Sequence, residues 1–147
     1  MSQCVLYKKI LSALIKDNAK KSTRMKIAVI AHDGKKAEMV AFLNKHYKFL
    51  HSANMSIIAT GTTGTHAIEA GLNVERVLSG PKGGDAQIAT QVCEGKVQAV
   101  LFFRDPLDKH PHEPDINMLM RICDVHNVPL ATNEATAQML MNALLMD

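Results

Sequence analysis

Short apolar stretches alternate with helical patterns along most of this chain. Stretches rich in branched apolar residues, typical of β-strands, occur at 26–31, 56–60, 74–78, 97–103 and 128–132. Apolar residues at helical spacing follow them, at 39–46, 66–70, 86–94, 115–126 and 134–145. The stretch 97–103 is almost entirely apolar, as expected of a strand in a sheet covered on both faces. The alternation predicts a single-domain, doubly wound α/β fold with a mostly parallel five-stranded sheet and helices on both faces.

A further helix is predicted ahead of the first strand, over residues 5–19. Leu6, Ile10 and Leu14 recur at four-residue steps, and Leu11 and Ile15 lie beside them, which predicts one apolar stripe and a lysine-rich opposite face. We expect this helix to dock on the domain or on a second subunit, and we favour both over a membrane surface. The chain is thereby divided into an N-terminal amphipathic helix with its linker, 1–24, and one domain, 25–147.

Composition restricts the class of protein. With 147 residues, 47% hydrophobic and 21% charged, the chain suits one soluble domain, and no apolar run approaches the ~20 residues of a transmembrane helix. Lysines and Asp17 interrupt the apolar N-terminal segment, so we expect no cleaved signal, no membrane partner and a cytoplasmic location. Nucleic-acid binding is not expected, because a net charge of +3 is accompanied by few aromatic residues. The three cysteines are too far apart for a CxxC metal site and are odd in number, against a disulfide framework.

Polar and small residues cluster where the predicted strands end. They are His32 and Asp33, 60–65, 79–85, Asp105, and Thr132 with Asn133. Ligands of parallel α/β folds bind beyond the carboxyl ends of the strands, so these segments indicate a ligand site. Capping is the commoner use of such residues, and the candidates for helix N-caps are Asp33, Thr62 or Thr63, Asp85 and Asp115. Because all of these polar residues fall at the same edge of the predicted sheet, a ligand site is favoured over capping alone.

The glycine-rich turn 78–87, LSGPKGGDAQ, combines the elements of an anion cradle with a carboxylate. Its glycines let the backbone come close to a ligand, and the following helix directs unpaired N–H groups at an anion. One interpretation makes Asp85 a base. The other makes Asp85 an N-cap of that helix, and it is the better interpretation for this motif in isolation.

A second cradle is predicted at Gly61-Thr62-Thr63-Gly64, read as a turn, where hydroxyl groups and backbone N–H groups suit a phosphate. The chain has neither a GxxxxGK[ST] motif nor a GxGxxG motif, so a small phosphorylated metabolite is favoured over a nucleotide cofactor. Lys35 or Lys36 adds a positive charge in one interpretation and is merely solvent-exposed in the other.

The loop after the fourth strand contains residue types that bind transition metals, namely Asp105, Asp108, His110, His112 and Asp115. There is no HExxH motif, and a loop with three prolines is better suited to fixing one histidine towards a pocket than to building a ligand cage. A metal-free site is therefore predicted. Surface or core positions are assigned to His46, His51, His66 and His126.

These motifs together resemble those of the methylglyoxal synthase family. Six occur in order within residues 26–141: HD at 32–33, ATGTTG at 59–64, LSGPKGGD at 78–85, FFRDPL at 102–107, PHEPD at 111–115 and ATN at 131–133. The resemblance implies a flavodoxin-like α/β fold, and the extra N-terminal helix of this chain is longer than the family leads us to expect. It also implies an enzyme that converts dihydroxyacetone phosphate to methylglyoxal and inorganic phosphate, without metal or organic cofactor, as a cytoplasmic homohexamer.

The resemblance implies roles for individual residues. Asp85 becomes the proton-abstracting base, and His112 the electrophile and proton carrier at the carbonyl and hydroxyl oxygens. The implied substrate-binding residues are His32, Lys36, Thr60, Gly61, Thr62, Thr63, Ser79 and Gly80. Supporting acidic residues are Asp33, Asp105 and Asp115. Inorganic phosphate, as the product, is expected to inhibit by occupying the cradle.

Two other functions stay open at this point. A non-catalytic regulatory domain that senses a phosphorylated ligand would keep the scaffold and the cradle without needing a base, and Asp85 together with His112 favours the enzyme over it. A phosphate-binding nucleotide enzyme that holds a metal in the His-rich loop is the weaker alternative.

Overall fold

A computed structural model describes residues 2–19, 24–52 and 54–146, and contains a five-stranded sheet. The strands are β1 (Met25–Ala31), β2 (Met55–Thr60), β3 (Val74–Val77), β4 (Ala99–Phe103) and β5 (Leu130–Ala131). Their order is β3-β2-β1-β4-β5, and all four pairings are parallel. The chain runs outwards from β1 to β3 and then crosses back to β4, so the strand order reverses beside β1. The predicted doubly wound α/β fold is confirmed.

Helices connect the strands and cover the sheet. They are α1 (Gln3–Ala19), α2 (Lys36–Lys45), α3 (Tyr47–Leu50), α4 (Gly61–Glu69), α5 (Gly84–Cys93), α6 (Glu113–Val125) and α7 (Glu134–Leu145). Single 3₁₀ turns at Asp33–Lys35 and Gly80–Lys82 precede α2 and α5. Among the described residues, no helix is both long enough and apolar enough to cross a bilayer.

The two faces of the sheet bury separate apolar clusters, because successive side chains of a strand point to opposite faces. Ile27 and Val29 of β1 pack on one face with side chains of α2 and α7, such as Phe42 and Leu140. On the other face, the side chains of α5 and α6 pack against Ala28, Ile30, Ile58, Val100 and Phe102. Both faces of the sheet are therefore covered by helices and shielded from solvent, which explains why every residue of β4 is apolar.

Helix α1 is present as predicted, but it buries only the Leu11 and Ile15 side of the predicted stripe. Ile15 is 1% exposed and Leu11 packs beside it against the cluster that contains α7. Leu6, Ile10 and Leu14 stay 50%, 51% and 39% exposed. The helix therefore packs on the domain through Leu11 and Ile15, and its other apolar side chains stay exposed. The predicted linker 20–24 lies, apart from Arg24, outside the described residues.

The prediction of a turn over Gly61–Thr65 is wrong, because α4 begins at Gly61, immediately after β2. Gly61 has φ +46°, a left-handed value that glycine adopts without strain, and this allows the strand to pass directly into the helix. The glycine and the threonines thus form the first turn of a helix. Smaller differences are the start of β4 at Ala99 and the length of β5, which pairs over two residues.

Candidate active site

A cavity of about 440 Å³ opens at the carboxyl edge of the sheet, beside the point where the strand order reverses. Ten of the predicted site residues line it: His32, Asp33, Lys36, Thr60, Gly61, Thr62, Ser79, Gly80, Asp85 and His112. The convergence inferred from the strand ends is thereby observed for the segments after β1, β2, β3 and β4. A larger cavity, of 680 Å³, lies near the opposite edge, where Lys26 pairs with Glu75 at 2.8 Å and Lys96 with Glu94 at 2.6 Å.

Asp85 is the most unusual side chain in the cavity. It is 0% exposed, and neither carboxylate oxygen has a hydrogen-bond partner in the described part of the chain. Burial raises the pKa of Asp85, and the charge of Asp115 raises it further, while His112 acts in the opposite direction. Nε2 of His112 lies 3.6 Å from Oδ2 of Asp85. A desolvated carboxylate without hydrogen bonds is a stronger base than a solvated one.

The alternative interpretation of Asp85 as an N-cap is wrong. Gly83 is the residue before α5, with φ +103°, and no side chain caps the helix there. Asp85 is the second residue of α5, so its carboxylate lies beside the first turn without accepting a backbone N–H. The helix start therefore does not use the hydrogen-bonding capacity of this side chain.

Glycine at position 80 allows Asp85 and His112 to approach each other. A Cβ atom at Gly80 would lie 2.9 Å from Nε2 of His112 and 3.3 Å from Oδ1 of Asp85. Gly84 is equally constrained, because its Cβ would collide with the carbonyl group of Leu78. Gly80 therefore sets how closely the turn after β3 approaches the two ionisable groups, and Gly84 lets the backbone of that turn pack closely on itself.

His32 is held in one tautomer by the backbone of the loop after β4. The Asp105 N–H donates to Nδ1 of His32 at 2.9 Å, so the proton of the neutral ring is on Nε2. Burial, and then the charges of His110 and His112, lower the pKa of His32 to about 4. Its Nε2 is buried without a hydrogen-bond partner among the residues described. At neutral pH the ring is therefore an uncharged donor with a free N–H group.

Lys36 reaches across the cavity from α2 to α4. Its Nζ lies 2.7 Å from Oγ1 of Thr62 and 2.6 Å from Oδ1 of Asp33. The hydrogen bond and the charge of Lys36 lower the pKa of Asp33, whose side chain is 94% exposed. This arrangement places one cation next to the first turn of α4, where the helix has backbone N–H groups without intrahelical acceptors.

Some predicted residues do not line the cavity. Thr63 is fully buried behind the first turn of α4, and Asp115 influences Asp85 through its charge. Asp105 binds His32 through its N–H, while its Oδ1 accepts from the Leu107 N–H at 3.1 Å. Asn133 is an N-cap, since its Oδ1 accepts from the Thr136 N–H, and the Thr132 carbonyl accepts from the Arg104 N–H. The polar residues after β5 therefore cap the start of α7 and do not line the cavity.

Sequence reasoning missed part of the loop after β4. Asp108, Lys109, His110 and Pro111 of this loop also line the cavity, as does Pro81 in the turn after β3. The prolines were expected to fix one histidine towards a pocket, and in the structure His110 and His112 both lie there. Within the described ranges, no three His, Cys, Asp or Glu side chains are arranged to hold a metal ion. The metal-free site stays a prediction.

Comparisons with known proteins agree on one family. The family described as MGS-like domain matches residues 38–132. A methylglyoxal synthase of Cupriavidus pinatubonensis is 57% identical over 123 residues, 83% of this chain and 93% of that protein. One from Thermus thermophilus is 59% identical over 116 residues, 78% of this chain and 90% of that protein. The crystal structure of methylglyoxal synthase from Elizabethkingia anophelis NUHP1 superposes with a TM-score of 0.72 at 39% identity, covering 80% of this chain and 77% of that one.

Proposed function

Because the chain belongs to the methylglyoxal synthase family, we propose that it converts dihydroxyacetone phosphate to methylglyoxal and inorganic phosphate, with Asp85 as the base. His112 is the electrophile and proton carrier in this proposal. The observation that carries it is the buried, unpartnered carboxylate of Asp85 in a cavity that also contains Lys36 and the first turn of α4. A base and an anion site in one cavity are what elimination of phosphate requires.

The first step is removal of a proton from the hydroxymethyl carbon next to the carbonyl group. Asp85 takes the proton, and the negative charge moves to the carbonyl oxygen as an enediolate. His112 supports this step, because its Nε2 lies 3.6 Å from the carboxylate, so a substrate bound beside the pair can contact both groups. His32 supports it as a neutral donor, because an imidazole held by Asp105 N–H offers Nε2–H to an oxygen without bringing a competing charge.

The second step expels phosphate. The hydroxyl group of the enediolate gives its proton to His112 and becomes the aldehyde, the double bond moves to the outer carbon, and the electron pair of the C–O bond leaves with phosphate. The resulting enolate takes up a proton on its terminal carbon to give methylglyoxal. Alignment of the C–O bond with the π system is required, so the phosphate must be held on one side of the carbon chain.

The phosphate site is assigned to Lys36, Thr60, Gly61, Thr62, Thr63, Ser79 and Gly80. Support comes from the start of α4 at Gly61, where N–H groups and the helix dipole favour an anion. A Cβ at Gly61 would lie 3.3 Å from Cβ of Ser79, so glycine keeps the two turns close together. Thr63 takes part through its backbone N–H in this proposal, since its side chain is buried.

The acidic residues have supporting roles in the proposal. Asp33 positions Lys36 through the 2.6 Å ion pair. Asp105 fixes the tautomer of His32 through its N–H, and Asp115 favours a higher pKa of Asp85. None of the three is assigned to bond making or breaking.

The remaining features of the assignment are proposals of the same kind. Residues 25–147 form the catalytic unit, while 1–24 form a docking helix and linker. The enzyme is a cytoplasmic homohexamer, and inorganic phosphate inhibits it by competing for the cradle. The exposed apolar side chains of α1, among them Leu6 and Ile10, are available to a second subunit.

The test is an assay of the full chain with dihydroxyacetone phosphate and a chelator. We expect methylglyoxal and phosphate in equal amounts, and millimolar phosphate should slow the reaction. Asp85→Asn should lower kcat by about 10²–10⁴-fold with KM little changed, because the base is lost while the phosphate site is kept. Asp124→Asn, an identical change on the exposed side of α6, is the control.

Each result has a definite meaning. Full turnover by the Asp85→Asn protein would remove Asp85 from the role of base. Phosphate binding without either product would favour the non-catalytic sensing domain. Loss of turnover on chelation, restored by a metal ion, would favour the metal-dependent alternative.

A further inference from the structure

His110 is the cavity residue whose presence the proposed reaction does not explain. Its ring stacks on that of His32 with centroids 3.6 Å apart and planes 22° apart. It also meets His112 in a tilted, edge-on contact with centroids 5.7 Å apart. The Nε2 atom of His110 is buried and has no hydrogen-bond partner within the described part of the chain. No hydrogen bond of Nε2 therefore accounts for where this ring lies.

The ring of His32 is bounded on each side by a different contact. His110 covers one face, and Phe102 meets the ring nearly at right angles with centroids 5.1 Å apart. Rotation within the ring plane is fixed by the hydrogen bond from Asp105 N–H to Nδ1. Without His110, one face of His32 would be open to the cavity, and both a shift of the ring and protonation would become easier.

We propose that His110 is a positioning residue, which acts by stacking on His32 and holding that ring with its Nε2–H available to the substrate. The proposal rests on the proposed function, since that function assigns His32 to substrate binding. The contact is a face-to-face one between two planar rings, so it needs a flat side chain at position 110 more than it needs a nitrogen atom.

Charge and burial at this contact support the same role. Desolvation and the charge of His110 are the first two causes of the lowered pKa of His32, followed by the charges of His112 and Arg104, while Glu113 acts in the opposite direction. Other ionisable groups facing the cavity are Asp33, Lys36, Asp85, Asp108 and Lys109. A cation on one of two stacked rings opposes a cation on the other, so the pair favours a neutral His32.

The loop sequence explains how His110 reaches this position. Oδ1 of Asp105 accepts from the Leu107 N–H at 3.1 Å, and Oδ1 of Asp108 accepts from the Lys109 N–H at 2.9 Å. The carbonyl of His110 accepts from the Glu113 N–H at 3.4 Å as α6 begins, so local hydrogen bonds hold the loop on both sides of this ring. Asp105 therefore organises both partners of the stack, His32 by its N–H and the His110 loop by its carboxylate.

The test compares His110→Ala and His110→Phe with the unmodified protein and with His126→Ala, which removes an exposed histidine at the end of α6. In His110→Ala we expect KM for dihydroxyacetone phosphate to rise on the order of tenfold, with kcat changed less than about threefold, as for a weakened hydrogen bond to substrate. The His110→Phe protein should keep a KM within about threefold of the unmodified protein, because a flat ring is retained.

A second measurement does not depend on turnover. NMR of the imidazole nitrogens reports the tautomer and the pKa of His32 directly. In His110→Ala we expect the pKa of His32 to rise and the fraction with the proton on Nε2 to fall, while His126→Ala leaves both unchanged. Binding of inorganic phosphate, measured by calorimetry, checks that the cavity of each variant is intact.

The outcomes separate the two proposals. An unchanged tautomer and pKa of His32 in His110→Ala would overturn the positioning role, whatever the activity. A KM for His110→Phe that is as high as for His110→Ala would assign the effect to a nitrogen of His110 and also overturn it. If the unmodified protein makes no methylglyoxal, the proposed function fails, and the NMR result still decides whether His110 holds His32.

Discussion

Substitution of Gly80 by alanine tests the catalytic geometry without removing a functional group. The φ angle of Gly80 is not among the positive values in the described chain, so alanine fits the backbone there. Its Cβ would lie 2.9 Å from Nε2 of His112, whereas ordinary contact begins at 3.4 Å, so the ring must retreat by about 0.5 Å. The same Cβ would lie 3.3 Å from Oδ1 of Asp85, so the added methyl group also crowds the carboxylate.

The expected loss of activity follows from this displacement. A misplacement of about 1 Å costs on the order of 10²-fold in rate, so about 0.5 Å should cost roughly tenfold in kcat. The assay is steady-state release of methylglyoxal, together with the midpoint of urea unfolding. We expect kcat to fall while the free energy of unfolding stays within about 1 kcal/mol, since His112 lies at the cavity surface and has room to adjust.

Gly95→Ala is the opposite control. Gly95 ends α5 far from the cavity, has φ +70°, and has nothing within 4 Å of the Cβ position. Alanine there should lower the free energy of unfolding by about 1 kcal/mol and leave kcat unchanged. The reasoning is refuted if Gly80→Ala retains full kcat, or if its kcat falls only in proportion to lost folded protein.

The remaining predictions concern charge. The free energy of unfolding should fall as the pH falls from 6.5 to about 4, because the pKa of His32 is lowered from 6.5 to about 4 and the unfolded chain therefore binds the proton first. Urea unfolding at several pH values should show a smaller fall for His32→Gln. An equal pH dependence in the two proteins would contradict a buried neutral ring. The kcat/KM profile should have an acid limb above the ordinary aspartate pKa of 3.8, since the base must be ionised and the pKa of Asp85 is raised. Lys36→Ala should raise both KM and the inhibition constant of phosphate by about 10–100-fold, as for a hydrogen bond from a charged group. Unchanged inhibition by phosphate in Lys36→Ala would mean that the anion binds at another place. Asp33→Asn should change KM by less than about fivefold, because an exposed ion pair contributes little to binding.

Apolar periodicity was sufficient to predict the order of the strands and of all helices except the short α3, because a strand that is buried on both faces, such as 97–103, is apolar along its length. The end of β2 was harder to predict. Gly61-Thr62-Thr63-Gly64 has the composition of a turn, and it is helical because Gly61 takes φ +46° and the following residues pack on the sheet, with Thr63 buried. Packing against distant segments decided the outcome, and a local pattern does not contain that information.

The site was predictable to the extent that parallel strands bring their carboxyl ends together. His32, Ser79, Asp85 and His112 meet for that reason. The stacking of His110 on His32 depends on how the loop after β4 folds back, which no spacing rule describes. Helix caps were also hard to predict from sequence. Asn133 and Asp85 are both polar residues at a helix start, but only Asn133 is a cap, since Asp85 lies inside the first turn of α5.

The difference between these two helix starts explains how Asp85 keeps its basicity. At α7 the residue before the helix has a side-chain oxygen that accepts from the Thr136 N–H. At α5 that position is Gly83, which has no side chain, and the preceding turn is closed by backbone bonds from Lys82 N–H and Gly84 N–H to the carbonyl of Ser79. A carboxylate at position 83 would be bonded to the helix, and the resulting lower pKa would weaken it as a base. The acid at the second helical residue, behind two glycines, is thereby kept separate from the helix start, as the proposed role of Asp85 as the base requires.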